Sequence, residues 1–271
     1  LKSYQQTRAY LKIQDGCNQF CSYCIIPYAR GKERCLPIDE VIENAKSLVQ
    51  DGHKELVLTG IHTGRYQNQG YNLTDLMKRL MKEVEGLQRL RISSIEITEI
   101  TDEMIAFMHE EPRIARHFHI PVQASTNEIL EKMNRPYTVE EFISRLQYIR
   151  EQLPNISIST DIIVGFPYES DELFEQGLVN LEKMEFSFLH VFPFSSKEGT
   201  VAHTMKEKVN GQIQKNRVKY LTKRSVQLYN TYKQRLVGTV KEVYFETYQD
   251  GILMGHTSEY VSVKVKSEID R

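Results

Sequence analysis

The chain has 271 residues, of which 40% are hydrophobic and 26% charged, and its formal net charge is −1. These values are ordinary for a globular protein and predict one large domain, or one large domain with a small appendage. No apolar run approaches the ~18 residues of a membrane-spanning helix, and the amino-terminal residues lack a secretory signal, so we expect a cytoplasmic protein. Because the chain begins with Leu1 rather than methionine, we also expect more protein upstream.

Six short apolar runs predict β-strands along the first three quarters of the chain. They cover residues 9–14, 55–60, 90–95, 117–122, 156–165 and 187–192. Between them, residues 37–51 and 139–153 have the periodicity of helices with one buried face, and Thr138 with Glu141 forms a capping box. Alternating strands and helices predict an α/β protein with a parallel sheet, either doubly wound or closed into a barrel. In both arrangements the loops that follow the strands gather at one face, where sites form.

The last quarter of the chain has a different pattern. Residues 207–236 predict one or two helices, and short β-like runs with glycine turns follow Gly238. Residues 206–241 contain ten Lys or Arg residues and one acid, Glu207. Such a basic segment is either a solvated helix face or a surface that contacts a polyanion. The β-like tail is too short for a core of its own.

Three of the four cysteines lie close together, with the spacing CxxxCxxC at Cys17, Cys21 and Cys24. Thiols in a chain without a secretory signal serve more often as metal ligands or catalysts than as disulfides. Structural zinc needs four ligands, usually from two separated pairs, and this loop offers one such pair. An iron–sulfur cluster with three cysteine ligands and one open iron fits the spacing better. Zinc and free thiols remain the alternatives.

The loop also resembles a known one. CxxxCxxC with Tyr23 before the last cysteine is similar to the cluster loop of radical S-adenosylmethionine enzymes, and KIQDGCNQFCSYCIIPYARG resembles the tRNA methylthiotransferases among them. The resemblance implies that Cys17, Cys21 and Cys24 hold a 4Fe-4S cluster whose fourth iron binds S-adenosylmethionine. Cys35 lies where the family usually has serine, so we do not expect it to be a ligand. The implied fold is a partial (βα)6 barrel followed by a small all-β TRAM-like domain.

The resemblance further implies that S-adenosylmethionine contacts residues at the carboxyl ends of the strands. The expected contacts are Tyr23, Thr59, Gly60, Ser94, Glu96, Gln123, Ser125, Asp161 and Gly165. The alternative role of the serines is to form hydrogen bonds with the loop backbone, and that of Asp161 is to cap a turn. The chain departs from the family pattern at Ala124 and Tyr168, where glycine is usual. No catalytic side chain is expected beyond the cluster and the cofactor. Without the resemblance, His62 and His190 would be interpreted as ordinary core or surface histidines.

The stretch TGIHTG, which begins at Thr59, resembles the subfamily that acts on N6-threonylcarbamoyladenosine next to the tRNA anticodon. The implied reaction converts this base to its 2-methylthio derivative, with an electron donor such as flavodoxin or ferredoxin. Two alternatives within the family are isopentenylated adenosine and an aspartate of a ribosomal protein. An alternative from another class is a non-catalytic RNA-binding protein with a zinc-stabilised cysteine loop.

The implied organisation has three parts. Residues 1–205 would form the radical S-adenosylmethionine core, residues 206–237 a basic helical connector, and residues 238–271 an incomplete TRAM-like domain. The family's upstream domain, with a second 4Fe-4S cluster, is missing from this sequence, so we expect the chain to bind cluster and cofactor without completing the reaction. The expected contacts to the tRNA anticodon loop are Lys215, Arg217, Lys219, Lys223 and Arg224.

Overall fold

The computed structural model describes residues 7–268, so the outermost parts of the first and last predicted segments lie outside the described residues. The β-strands are β1 (Arg8–Lys12), β2 (Gln14–Asp15), β3 (Arg34–Cys35), β4 (Glu55–Thr59), β5 (Gln67–Asn68), β6 (Tyr71–Asn72), β7 (Arg89–Ile92), β8 (His117–His119), β9 (Ser157–Val164), β10 (Phe188–Pro193), β11 (Val243–Gln249), β12 (Ile252–Thr257) and β13 (Ser262–Lys266). The α-helices are α1 (Ile26–Arg30), α2 (Ile38–Gln50), α3 (Leu73–Glu83), α4 (Asp102–Glu110), α5 (Asn127–Lys132), α6 (Val139–Gln152), α7 (Asp171–Met184), α8 (Val201–Thr204) and α9 (Gly211–Leu236). None of these helices is long and apolar enough to cross a membrane.

Six parallel strands form the main sheet in chain order. Strands β1, β4 and β7 pair in one half, and β8, β9 and β10 pair in the other. A parallel bridge between Leu90 and Ile114 joins the two halves. The sheet surrounds a central cavity lined by residues of all six strands, and within the described residues β1 and β10 are not paired with each other. The expected parallel α/β architecture is therefore confirmed.

Strand β8 is shorter than its predicted run of residues 117–122. Pro121 has no N–H to donate to a neighbouring strand. The N–H of Val122 is bonded to the side-chain hydroxyl of Thr160, at 2.9 Å, instead of to a strand partner. Strand β8 is thus interrupted, and the chain pairs with β9 again at Gln123, which forms a parallel bridge with Ile162.

The helices form where sequence periodicity and caps predicted them. Helix α6 begins after a capping box in which Thr138 and Glu141 satisfy each other's backbone N–H groups. Its inward side chains Phe142 and Leu146 are fully buried against the sheet. Burial of one such side chain stabilises the fold by roughly 1.5–3 kcal/mol, so Phe142→Ala would damage the core.

The carboxyl-terminal part of the chain packs against the amino ends of the main strands. Strands β11, β12 and β13 form an antiparallel sheet, here called the tail sheet. Arg89 donates to the carbonyl oxygen of His256 at 3.2 Å, and Arg91 donates to that of Ser258 at 3.2 Å. The buried carboxylate of Glu55 lies between these arginines. An all-β tail is thus present, and its likeness to a TRAM domain stays a prediction.

Candidate metal and cofactor site

The cysteine loop, residues 16–31, begins where β2 ends, at the carboxyl edge of the main sheet. Gly16 has φ 74°, and a Cβ atom there would lie 2.1 Å from the carbonyl oxygen of Lys32, so only glycine fits. The next N–H, that of Cys17, closes the loop by donating to Gly31 O at 3.1 Å. Hydrogen bonds from Lys12 and from the Gly16 N–H lower the pKa of Asp15 to about 2. The charged carboxylate of Asp15 therefore fixes the start of the cysteine loop through these hydrogen bonds.

Contacts from the segment after α5 fix the middle of the loop. Ser22 donates through its hydroxyl to Lys132 O at 2.7 Å and through its N–H to Met133 O at 3.0 Å. The side-chain amide of Asn134 donates to Phe20 O at 2.9 Å. Backbone bonds of this kind position the cysteines before any ligand binds, which is what a preorganised site requires.

All three loop cysteines line one cavity of about 210 Å³, here called the cysteine cavity, and all are free thiols. The structure brings four of the expected cofactor contacts to the same cavity, namely Tyr23, Ser94, Glu96 and Gln123. Cys35 lies on β3 and is not among the lining residues. The juxtaposition of three sulfur atoms with the ends of the third and fourth main strands matches the expectation from the sequence.

Two of the thiols have basic side chains next to them. His62 Nδ1 lies 3.4 Å from Cys17 Sγ, and Arg135 Nη1 donates to Cys21 Sγ at 3.5 Å. Burial raises the pKa of Cys24, and the two neighbouring thiols raise it further. A metal that binds sulfur would remove this proton outright, because coordination stabilises the thiolate.

The residues present fit an iron–sulfur cluster better than zinc. The group closest to a mixed metal site is Cys17, Glu33 and His62, whose donor atoms lie within 4.8 Å of one another. Two of these three are already engaged, since His62 Nε2 lies 2.6 Å from Glu99 Oε1 and Glu33 accepts from the Asn18 N–H at 3.1 Å. Burial lowers the pKa of His62, but Cys17 and Glu99 outweigh it and bring the value to about 10, and a protonated imidazole is no ligand.

Unsatisfied polar atoms also indicate a bound group at the cysteine cavity. Gln19 and Thr63 both line it, and their Nε2 and Oγ1 atoms are buried without a hydrogen-bond partner within the described chain. Buried polar atoms nearly always have partners in folded proteins. The three free thiols and these two polar atoms are therefore consistent with a cluster and a polar cofactor.

Arg135 is a site residue that sequence reasoning missed. Its buried guanidinium pairs with Glu96, donates to the Tyr137 hydroxyl at 2.9 Å and reaches Cys21 Sγ. It stands 114 positions from Cys21 in the sequence, and no local motif links the two. Only the packing of α5 against the cysteine loop brings them together.

Three of the expected cofactor contacts lie at the edges of the site. Gln123 lines the cysteine cavity with φ 69°, a left-handed backbone that costs a non-glycine residue energy and is common at functional sites. Thr59 and Gly60 end β4 but do not line the cavity. Gly60 instead packs on Gln14, whose side-chain oxygen accepts from the His62 N–H at 2.8 Å. Together they position His62.

Three expected contacts lie elsewhere. Ser125 lines a small separate cavity of about 20 Å³. Asp161 lines the central cavity and lies 3.2 Å from His119 Nε2. Gly165 is covered by the side chain of Gln214 from α9. Tyr168, which replaces a usual glycine, adopts φ 72°, the backbone that glycine would take there.

The five expected RNA contacts on α9 divide into two groups. Lys215, Lys219 and Lys223 are exposed, whereas Arg224 is half-buried and lies 3.2 Å from Glu182. Arg217 needs a correction, because it is buried and ion-paired with Glu169 at 2.7 Å and Asp171 at 2.6 Å. It holds the turn after β9 and is too buried to contact a phosphate.

The chain is similar to known proteins along most of its length. The model of the radical SAM superfamily matches residues 11–178. The threonylcarbamoyladenosine tRNA methylthiotransferase MtaB of Bacillus subtilis is 42% identical over 98% of this chain and 60% of that protein. The tRNA-2-methylthio-N(6)-dimethylallyladenosine synthase of Thermodesulfovibrio yellowstonii is 34% identical over 97% of this chain and 61% of that protein. The chain therefore spans about 60% of the length of these relatives.

Solved structures share the fold at low sequence identity. The methyltransferase TsrM from Kitasatospora setae, with cobalamin and a [4Fe-4S] cluster bound, aligns with a TM-score of 0.59 at 16% identity and covers 72% of this chain and 38% of its own. Coproporphyrinogen III oxidase HemN from Escherichia coli gives 0.58 at 16% identity, over 81% of this chain and 52% of its own. These likenesses concern the fold alone.

The family match covers more than half of the chain and includes the cysteine loop. The protein belongs to the radical SAM superfamily. This superfamily uses a 4Fe-4S cluster and S-adenosylmethionine, which are the cofactors that the spacing of the cysteines and the resemblance predicted.

Proposed function

We propose that this chain is the radical S-adenosylmethionine part of a tRNA methylthiotransferase that acts on N6-threonylcarbamoyladenosine next to the anticodon. The observation that carries the proposal is the cysteine cavity, where three free thiols and an unsatisfied polar rim lie at the carboxyl ends of the strands. The 42% identity to a threonylcarbamoyladenosine methylthiotransferase supports the substrate.

Cys17, Cys21 and Cys24 are the proposed ligands of the cluster. When bound, the cluster and S-adenosylmethionine supply a radical able to remove hydrogen from an unactivated C–H bond. The chain's own residues bind these two groups, orient them and exclude water from the cavity. Arg135 and His62 hold two of the sulfur atoms from the protein side, and Gln123, Ser94 and Glu96 offer polar groups to the cofactor. Tyr23 stays neutral, since burial raises its pKa well above the usual value.

The remaining expected contacts enter the proposal through their positions. Thr59 and Gly60 would act through the loop that carries His62, while Asp161 would face substrate in the central cavity. Ser125 and Gly165 have packing partners at separate places, Gly177 and Gln214, and we propose no contact to the cofactor for them.

We further propose that residues 1–205 form the radical core, residues 206–237 the basic connector and residues 238–271 a TRAM-like RNA-binding module. The exposed lysines of α9 place positive charge at the surface. Phosphate contacts of this type would hold the tRNA while the target base is unstacked into the protein. The complete protein would work in the cytoplasm with flavodoxin or ferredoxin as electron donor, and with an upstream domain carrying a second cluster.

The proposal is tested in two steps. First, the purified chain is reconstituted with iron and sulfide without oxygen, and 5′-deoxyadenosine is measured after S-adenosylmethionine and reductant are added. We expect release of 5′-deoxyadenosine, and none from a variant in which all three loop cysteines are alanine. Equal output from both proteins would refute the proposed cluster ligands.

The second step concerns the substrate. The 34% identity to a dimethylallyladenosine synthase favours isopentenylated adenosine as the second candidate. Mass analysis of tRNA nucleosides from a strain that lacks the gene separates the two. We expect the 2-methylthio form of N6-threonylcarbamoyladenosine to disappear, whereas loss of the methylthio form of isopentenyladenosine would establish the alternative.

A further inference from the structure

The central cavity is distinct from the cysteine cavity and adjoins it. It has a volume of about 300 Å³, at the lower end of the range of ligand-binding cavities. Ser93 lines the central cavity and Ser94 the cysteine cavity, and Gln123 of the cysteine cavity donates its N–H to Asp161 O at 3.0 Å. A ligand that reaches the cysteine cavity is therefore in reach of the central cavity as well.

Most of the residues that line the central cavity carry a polar group, although carbon atoms make up most of its exposed wall. Val57 and Ile92 are the aliphatic side chains among its lining residues, and the others carry imidazole, guanidinium, hydroxyl or carboxylate groups. An aliphatic ligand would leave such groups without partners, and an unpaired buried polar group costs about 1–3 kcal/mol. The cavity thus favours a ligand with many hydrogen-bonding atoms.

Two buried nitrogen atoms of this lining lack hydrogen-bond partners within the described residues. They are His117 Nδ1 and Arg8 Nε, in residues only 8% and 9% exposed. Arg8 Nε has an ion-pair contact with Glu55 at 3.5 Å, which is long for a hydrogen bond. Unpaired buried donors of this kind point to a missing polar ligand.

His119 and His190 form the most adaptable part of the lining. His119 is held by Ser159 at 3.0 Å and Asp161 at 3.2 Å, and its ring meets that of His190 edge-on at 5.2 Å. Burial, and then the charge of His119, lowers the pKa of His190. A neutral imidazole has one donor and one acceptor nitrogen, so it can pair with a urea or a hydroxyl group.

On the basis of the proposed function, we infer that the central cavity binds the N6 substituent of the target adenosine, and that His119 and His190 select a threonylcarbamoyl group over a dimethylallyl group. The threonylcarbamoyl group carries a urea, a hydroxyl and a carboxylate, which match the imidazole and hydroxyl groups of the lining and the unpartnered Nε of Arg8. The other nitrogens of Arg8 already contact Tyr260, Glu246 and His256. The dimethylallyl group is a branched hydrocarbon and would leave the same groups unpaired. A site built for hydrogen bonds rejects an analogue that lacks them.

The test compares three anticodon stem-loop RNAs that differ only in the adenosine next to the anticodon. This adenosine is unmodified, N6-threonylcarbamoylated or N6-dimethylallylated, and the affinity of the reconstituted chain for each is measured by fluorescence anisotropy. We expect the threonylcarbamoyl RNA to bind most tightly. We expect His190→Leu to reduce its preference over the dimethylallyl RNA by about tenfold, because one or two hydrogen bonds are lost.

His190 is exposed on β10 at the free edge of the sheet, so this variant should fold. His119→Leu is the second variant, and His109→Leu, at an exposed position on α4, is the matched control with an unchanged preference. An equal preference in all four proteins, or equal binding of both modified RNAs by the parent chain, would overturn the inference alone. Failure to bind any of the RNAs would also overturn the proposed function.

Discussion

The two ends of the parallel sheet use charged and ligating groups in opposite ways. At the amino ends, Glu55 accepts from Arg91 at 2.7 Å and pairs with Arg89, and the tail sheet takes up remaining N–H groups of both arginines. At the carboxyl ends, three thiols form no disulfide, and polar atoms of Gln19 and Thr63 lack partners within the described residues. The ion pairs of Glu55 stabilise one end, whereas the free thiols and unsatisfied polar atoms at the other end mark the site where we propose that the cluster binds.

The largest effect is expected at the carboxyl end. Alanine in place of Cys17, Cys21 or Cys24 should each abolish iron retention after anaerobic reconstitution, because a cluster held by three ligands does not tolerate the loss of one. Iron and sulfide analysis measures this, with circular dichroism to confirm folding. Cys35→Ala is the matched control and should keep its iron. A cluster that survives in all three variants would show that these cysteines are not its ligands, and the proposed difference between the two ends would be wrong.

At the amino end, the same kind of loss should act on stability instead. Glu55→Gln would leave buried guanidinium groups without their shared carboxylate, which we expect to cost about 3–5 kcal/mol in the free energy of unfolding. Urea denaturation measures it. The control is Glu242→Gln, since Glu242 pairs with the same Arg89 through a side chain that is 69% exposed. Glu242→Gln should change the free energy of unfolding by no more than about 1 kcal/mol. Equal losses in the two variants would contradict the role of Glu55 as the shared buried partner of the arginines.

Helix α9 offers the next comparison, between its buried and exposed basic residues. Arg217→Met should destabilise the protein by about 3 kcal/mol, since it strips the buried Glu169 of its ion pair. Lys219→Ala should leave stability within about 0.5 kcal/mol, yet weaken RNA binding and reduce its salt dependence by about one ion. Denaturation and RNA affinity at several salt concentrations measure the two. The opposite result, with lost stability in Lys219→Ala and weakened RNA binding in Arg217→Met, would contradict the proposal that the exposed face of α9 contacts RNA.

The smallest effect concerns pH at the tail sheet. Burial raises the pKa of Glu246, but His256 and Arg8 outweigh it and hold the pKa below the usual 4.5. A carboxylate of lowered pKa stabilises the fold above its unfolded value, and that contribution is lost as pH falls through the folded value. The difference in stability between the parent chain and Glu246→Gln should therefore shrink below pH 4.5. Urea midpoints across this range measure it, and a constant difference would argue against the ion pair.

Local patterns were sufficient to predict much of the fold and the centre of the site. Capping residues located α6, the apolar runs located the six parallel strands, and the cysteine spacing singled out three residues that line one cavity. Long-range packing could not be predicted in this way. Arg135 meets Cys21 only because α5 docks on the loop, and Arg217 is buried only because Glu169 of a distant turn faces it.

 The ion pair between Arg217 and Glu169 joins α9 to the turn after β9. Nothing in the sequence of either segment predicts this contact.

The central claim is that Cys17, Cys21 and Cys24 hold a cluster with one iron open to S-adenosylmethionine. The measurement that tests it most directly is the electron paramagnetic resonance spectrum of the reduced, anaerobically reconstituted chain, recorded with and without S-adenosylmethionine. We predict the signal of a reduced 4Fe-4S cluster that changes shape when the cofactor is added. A spectrum without a cluster signal, or a cluster signal that ignores S-adenosylmethionine, would contradict the claim.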